Sequence, residues 1–258
     1  MVRKRNLDFN LKKFKAIAII PARLESSRLP QKAILDISGL PMIVHVLKRC
    51  QMAKLLDRVY VATDSKEIKS IVEQSGGDVI MTSKKHPTGT DRIAEAAKSL
   101  DAEIIVNIQG DEPLVNPEHI NAVTKVLLDN KTLNVAILVN PFDKRNSESD
   151  IKVVLNQDNE VLYLSRSDIP NNSRDNNSSM LKAYHIVPFR KNFLIKYAKW
   201  PKGKLETVEY NEYLRILENG YKIKAVQVES TAISVDTMED LKFVRNAMIS
   251  DPIFQQYI

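Results

Sequence analysis

The stretch IIPARLESSRLPQK, residues 19–32, ends a short apolar run and then places Arg23, Arg28 and Lys32 in one loop. A loop leaving a strand turns backbone N–H groups outward, and two guanidinium forks plus an ammonium add full charge. Such a donor set suits the closely spaced oxygens of a polyphosphate. From charge alone, a solvated basic loop remains the alternative. The segment follows neither G-x-G-x-x-G nor G-x-x-x-x-G-K-[ST], which weighs against a dinucleotide or P-loop NTPase site. A second stretch, VNIQGDEP (106–113), runs from an apolar strand into Asp111 and Glu112. A carboxylate at such a strand end is an oxygen donor for Mg²⁺, which bridges to phosphates, and Asp111 is the first candidate ligand. A surface turn with solvated acids would read the same way. Asp236, in ISVDTMEDL, follows another β-type run and opens a helix. It serves there either as an N-cap or as a second carboxylate clamping the same cation.

These groups need strands that end together. Apolar, β-branched runs at Ala16–Ile20, Arg58–Ala62, Val79–Met81, Ile104–Ile108 and Val135–Val139 read as strands. Amphipathic stretches at Met42–Met52, Lys66–Ser75, Asp91–Ser99 and Pro117–Asp129 read as intervening helices. The alternation predicts an α/β fold of βαβ units, with a mostly parallel central sheet and helices on both faces. Ligands then bind beyond the carboxyl ends of the strands, in the loops after Ile20, Met81 and Ile108, with Pro21 ending the first strand. After Pro141 the pattern predicts a hairpin of Ile151–Leu155 and Val161–Ser165, then a polar surface excursion, IPNNSRDNNSSM. A helix over LETVEYNEYLRILENG ending at Gly220, a strand Lys222–Val228 and a last helix capped by Thr237 complete the chain.

At 258 residues the chain can bury a substantial core as one domain. Its apolar runs fall far short of the ~20 residues that cross a bilayer, so stable membrane insertion is not expected and a cytoplasmic protein is. The single cysteine, Cys50, cannot form an internal disulfide, and its helical surroundings predict a half-buried thiol. Net charge is +6, part of it in a basic leader (residues 1–14) that reads as a mobile tail ahead of a single domain at 15–258. Positive charge suits any anionic partner, but scattered aromatics argue against a nucleic-acid stacking surface.

Taken in order, IIPARLESSRLPQK, GLPMIVHVLKR, VATD, MTSKKHPTGTDRIAEA, VNIQGDEP, IKVVLN with LYLSRSDIP, and VDTMEDL resemble the 3-deoxy-manno-octulosonate (Kdo) cytidylyltransferases. The resemblance implies a Rossmann-like nucleotidyltransferase fold that couples CTP to an acidic sugar. It implies Mg²⁺ as cofactor, a homodimer, and a sugar-binding and dimerisation part at roughly 141–220. Arg23, Arg28, Lys32, Asp111 and Asp236 match its catalytic positions, the two aspartates its metal ligands. Nucleotide contacts are implied for Pro21, Ala22, Arg23, Arg28, Lys32, His86, Thr88, Gly89, Thr90, Gln109 and Gly110. Sugar contacts are implied for Arg92, Gln109, His185, Glu212 and Tyr213. The chain departs from the family at AYHIVPFR (183–190), where H-x-G-x-Y-x-Y-R is usual, and at NEYLR, where Tyr213 replaces Gln. Ala183 and Val187 in place of the polar pair predict a rebuilt sugar site.

Overall fold

Ala16 through Ile20 are all fully buried, and their side chains divide by strand alternation between two cores. Ala16, Ala18 and Ile20 pack with one cluster, Ile17 and Ile19 with another. A continuous apolar run is therefore what a strand covered on both faces requires. The computed structural model describes residues 13–26, 29–171, 179–229 and 233–258.

In chain order the elements are β1 (Phe14–Ala22), β2 (Asp36–Ile37), β3 (Leu40–Pro41), α1 (Met42–Gln51), β4 (Arg58–Thr63), α2 (Lys66–Gln74), β5 (Asp78–Met81), α3 (Gly89–Lys98), β6 (Ala102–Ile108) and α4 (Pro117–Asp129). They continue as β7 (Ala136–Phe142), β8 (Lys152–Leu155), β9 (Val161–Ser165), β10 (Met180–Tyr184), β11 (Ile186–Arg190), α5 (Lys191–Tyr197), α6 (Lys204–Glu209), α7 (Leu214–Glu218), β12 (Lys224–Gln227) and α8 (Met238–Ile249).

The first sheet has the order β11-β6-β1-β4-β5. β4 and β6 run parallel to β1, β5 parallel to β4, and β11 antiparallel to β6. The chain winds outward from β1 through β4 to β5, then crosses back by α3 to β6 on the other side of β1. That reversal leaves a crevice between the carboxyl ends of β1 and β6, where open α/β sheets bind ligands. The second sheet, β12-β7-β10-β8-β9, is mostly antiparallel and meets the first through a Val135–Phe189 bridge. A third apolar cluster, including Met42, Val235, Leu241, Val244 and Met248, docks α8 near α1. Buried Arg49, 2.8 Å from Asp251, fixes the C-terminal segment there.

Several expectations need correction. β1 begins at Phe14, paired with Ala102, so the strand takes the last residue assigned to the leader; residues 1–12 lie outside the described residues. Pro21 does not end the strand: β1 continues as Pro21↔Ala62 and Ala22↔Thr63. Its missing N–H is tolerated because the β1–β6 ladder has already stopped at Ile19↔Asn107. Cys50 is fully rather than half buried, and burial pushes its thiol up. The expected long helix is broken into α6 and α7 at Tyr210, whose φ is 52°. Arg166 captures the carbonyls released there, donating to Glu209 O at 3.0 Å and Tyr210 O at 3.2 Å. Most of the Asn/Ser-rich excursion, 172–178, lies outside the described residues.

Candidate active site

The crevice between β1 and β6 opens into a cleft of about 290 Å³. Pro21, Ala22, Arg23, Glu25 and Ser26 line it from the end of β1, Lys32 and Ala33 from the next turn, Gln109, Gly110 and Asp111 from the end of β6. His86, Pro87, Thr88, Gly89 and Arg92 form the facing wall, and Asp236 closes the far side. Residues more than 200 positions apart thus share one surface. At its centre the Lys32 ammonium lies 2.6 Å from Asp111 Oδ2 and 3.1 Å from Asp236 Oδ1. Burial alone would lower the Lys32 pKa, but the two carboxylates more than offset it and hold the ammonium above its ordinary value.

The capping alternative for Asp236 is excluded by its neighbour. Thr237 Oγ1 accepts from Asp240 N at 3.2 Å, and Asp240 answers to the Thr237 backbone, a reciprocal capping box. Asp236 is left to face Lys32. Its segment is tied to the β6 loop twice, by Val235 N to Asp111 O at 2.9 Å and by Ser234 Oγ to Glu112 Oε1 at 2.5 Å. Glu112 is therefore no solvated partner of Asp111. It is 2% exposed, and burial, with the Asp111 charge adding to it, pushes its pKa up to about 8.

The facing wall starts earlier than the periodicity implied. α3 begins at Gly89, because Thr88 Oγ1 caps it by accepting from Asp91 N at 3.1 Å. Before the cap, Glu95 accepts from the His86 ring and from Ser83 N at 3.0 Å, and these bonds hold its carboxyl below the ordinary value. Close approach requires glycine at 110 and leaves little room at 89. A Cβ on Gly110 would stand 2.9 Å from the Pro21 carbonyl oxygen, and one on Gly89 3.2 Å from Pro21 Cγ. Arg92 reaches the cleft, yet its guanidinium is 2.9 Å from Asp64 and donates to Thr82 Oγ1 at 2.6 Å. A second recess of about 360 Å³, which also holds Lys66 and Lys84, adjoins across Arg23, Glu25 and Arg92.

Other sequence-predicted residues lie elsewhere. Arg28 is outside the described residues. Thr90 is buried behind the wall, its hydroxyl on Glu212 at 2.5 Å. His185, Glu212 and Tyr213 do not line the cleft. His185 stacks on Tyr213 at a centroid distance of 6.3 Å, and Tyr213, at the start of α7, is buried against Phe189. Ala183 and Val187 likewise join the apolar core, so these exchanges fill interior space rather than open a pocket. Sequence reasoning missed Glu25 and Ser26 in the cleft, although both stand inside the quoted basic stretch. It also missed Ser234, whose role depends on a partner 122 residues away.

Among the described residues no three His, Cys, Asp or Glu side chains gather as a metal cage. Two carboxylates converging on one cationic position nonetheless fit Mg²⁺, which takes one or two protein carboxylates and completes its shell with water and phosphate oxygens.

Sheet order, switch-point cleft and its paired cation and carboxylates define a Rossmann-like nucleotidyltransferase. The cytidylyltransferase family model matches residues 17–223. The 3-deoxy-manno-octulosonate cytidylyltransferase of Trichlorobacter lovleyi is 41% identical over 246 residues, covering 90% of this chain and 98% of that protein. Its counterpart in Geobacter sulfurreducens is 42% identical, covering 88% and 96%. A solved CMP:2-keto-3-deoxy-manno-octonic acid synthetase complexed with CTP superposes with a TM-score of 0.88 at 37% identity, covering 91% of this chain and 98% of that one. The chain belongs to the cytidylyltransferase family and, within it, to the 3-deoxy-manno-octulosonate cytidylyltransferases.

Proposed function

We propose that the chain transfers CMP from CTP to the anomeric hydroxyl of 3-deoxy-manno-octulosonate, releasing pyrophosphate, in the cytoplasmic supply of an activated acidic sugar for lipopolysaccharide or other surface glycans. The observation that carries this reading is the cluster of Lys32, Asp111 and Asp236 on the floor of the switch-point cleft. The sugar oxygen forms a bond to the α-phosphorus, the bond from that phosphorus to the oxygen bridging to the β-phosphate breaks with pyrophosphate leaving, and the hydroxyl proton passes to water. Position and charge do most of the work in such a transfer. Lys32 and Arg23 neutralise phosphate oxygens, and Arg28 joins them by its place in the motif. The backbone around Pro21, Ala22 and Gly110 lets the nucleotide approach, while His86, Thr88 and Gly89 form the opposing wall. Gln109 orients a substrate group. Asp111 and Asp236 would hold Mg²⁺, which when bound neutralises phosphate charge and favours departure of pyrophosphate. Arg92 shapes the wall through Asp64 and Thr82 and keeps further N–H groups for the sugar carboxylate. A homodimer, with residues from roughly 141–220 at its interface, belongs to the same reading.

Incubation with CTP, Mg²⁺ and 3-deoxy-manno-octulosonate should yield the CMP-sugar and an equal amount of pyrophosphate. Absence of pyrophosphate with this sugar and with a panel of related ulosonic acids would overturn the proposal.

A further inference from the structure

Behind Gln109 runs a line of buried and half-buried polar side chains with no part in the steps above. Alternation along β6 puts Ile105 and Asn107 on one face, Gln109 follows just past the strand's end at Ile108, and Asn107 is fully buried. Thr90 Oγ1 donates to Glu212 Oε1 at 2.5 Å and accepts from Asn107 Nδ2 at 3.3 Å. Asn107 Oδ1 in turn accepts from Gln109 Nε2 at 3.1 Å. Asn107 Nδ2 also donates to Tyr213 Oη at 3.5 Å, so the same amide group meets two hydroxyls. Burial raises the Glu212 pKa while hydrogen bonds from Thr90 and Thr88 favour its ionised form; the ionised carboxylate only accepts, so the Thr90 proton points to Glu212, and the hydroxyl lone pair takes the Asn107 amide N–H. Asn107 thereby turns its carbonyl toward Gln109, which must answer with its own N–H. The remaining polar atom, Gln109 Oε1, faces the space above Gly89, where an added Cβ would lie 3.7 Å away.

We propose that Glu212 is a positioning residue that sets the orientation of Gln109 through Thr90 and Asn107, so that the cleft presents a hydrogen-bond acceptor at this point. The substrate group meeting it is a hydroxyl or amino donor, either on the acceptor sugar or on the ribose or 4-amino group of CTP. A reversed amide would present two N–H groups there and suit a carbonyl or phosphate oxygen instead. Assignment of a substrate donor rests on the transferase reading; the orientation of Gln109 does not.

The test is a double-mutant cycle on the full chain with Gln109→Leu and Glu212→Gln, since an amide at 212 can donate as well as accept and no longer imposes the order. Each single variant should lower kcat/KM about ten- to a hundredfold, and the double variant should be no worse than Gln109→Leu alone. Calorimetry with CTP assigns the donor: weakened CTP binding places it on the nucleotide, and a raised sugar KM alone places it on the sugar. Thr90→Ser, which keeps the hydroxyl, should lose less than Thr90→Val. Independently of turnover, NMR of the resting protein should show slowly exchanging Asn107 and Gln109 side-chain amides that shift in Glu212→Gln. Additive kinetic losses, wild-type kinetics in Glu212→Gln, or amide resonances unmoved by that change would each overturn the proposal.

Discussion

Replacing Glu112 by Gln should make the protein more stable at alkaline pH while changing little at acid pH. The carboxyl is 2% exposed and its pKa is raised from 4.5 to about 8, first by burial and then by the Asp111 charge. The native state therefore holds this proton more tightly than the unfolded chain does. Its stabilising contribution is complete below about pH 4.5 and is lost as the pH rises through about 8. A difference of about 3.5 pKa units corresponds to about 5 kcal/mol at most, using 1.36 kcal/mol per unit. The amide keeps an acceptor for Ser234 Oγ and removes the titration. Urea unfolding of both proteins in EDTA at intervals from about pH 4 to 9 should give curves that coincide at the acid end and diverge upward in pH, the variant being the more stable. Parallel curves across this range would refute the assignment of Glu112 as a buried, protonated partner of Ser234.

Lys32→Met should lower turnover at least about a hundredfold, because a preorganised charge on the phosphates is removed. The same change should tighten Mg²⁺ binding without nucleotide, measured by calorimetry, since Asp111 and Asp236 lose the ammonium 2.6 and 3.1 Å away. Gly110→Ala forces a Cβ to 2.9 Å from the Pro21 carbonyl and should cost about 1–3 kcal/mol in urea unfolding, with weaker CTP binding. Arg215→Met strips Glu206 of a buried bidentate partner at 2.6 and 2.7 Å and should destabilise the fold by about 3–5 kcal/mol. Adding Glu206→Leu to that variant should restore part of the loss, again by urea unfolding.

The parts of the molecule that could be read from the sequence are those with a local signature. Both-face burial of β1 and β6 shows as continuous apolar runs, and the residues just after them, Arg23, Lys32, Gln109 and Asp111, do share the cleft. Thr237 could be recognised as a cap because Asp240 stands three residues on. The break at Tyr210 could not, since it depends on Arg166 arriving from β9 to bind carbonyls 43 and 44 residues away. Nor could the line from Glu212 to Gln109, because buried polar pairs carry no periodicity. Ala183 and Val187 misled for a related reason: a loss of polar residues reads equally as a reshaped pocket or as interior packing, and only their burial against Phe189 and Tyr213 distinguishes the two.

The central claim is that the β1–β6 cleft holds the triphosphate and its metal between Lys32, Asp111 and Asp236. A crystal structure with CTP and Mn²⁺, read by anomalous scattering, tests it most directly. An anomalous peak bonded to both carboxylates, with the triphosphate against Arg23 and Lys32, is the predicted result. Nucleotide or metal seated away from Asp111 and Asp236 would contradict it.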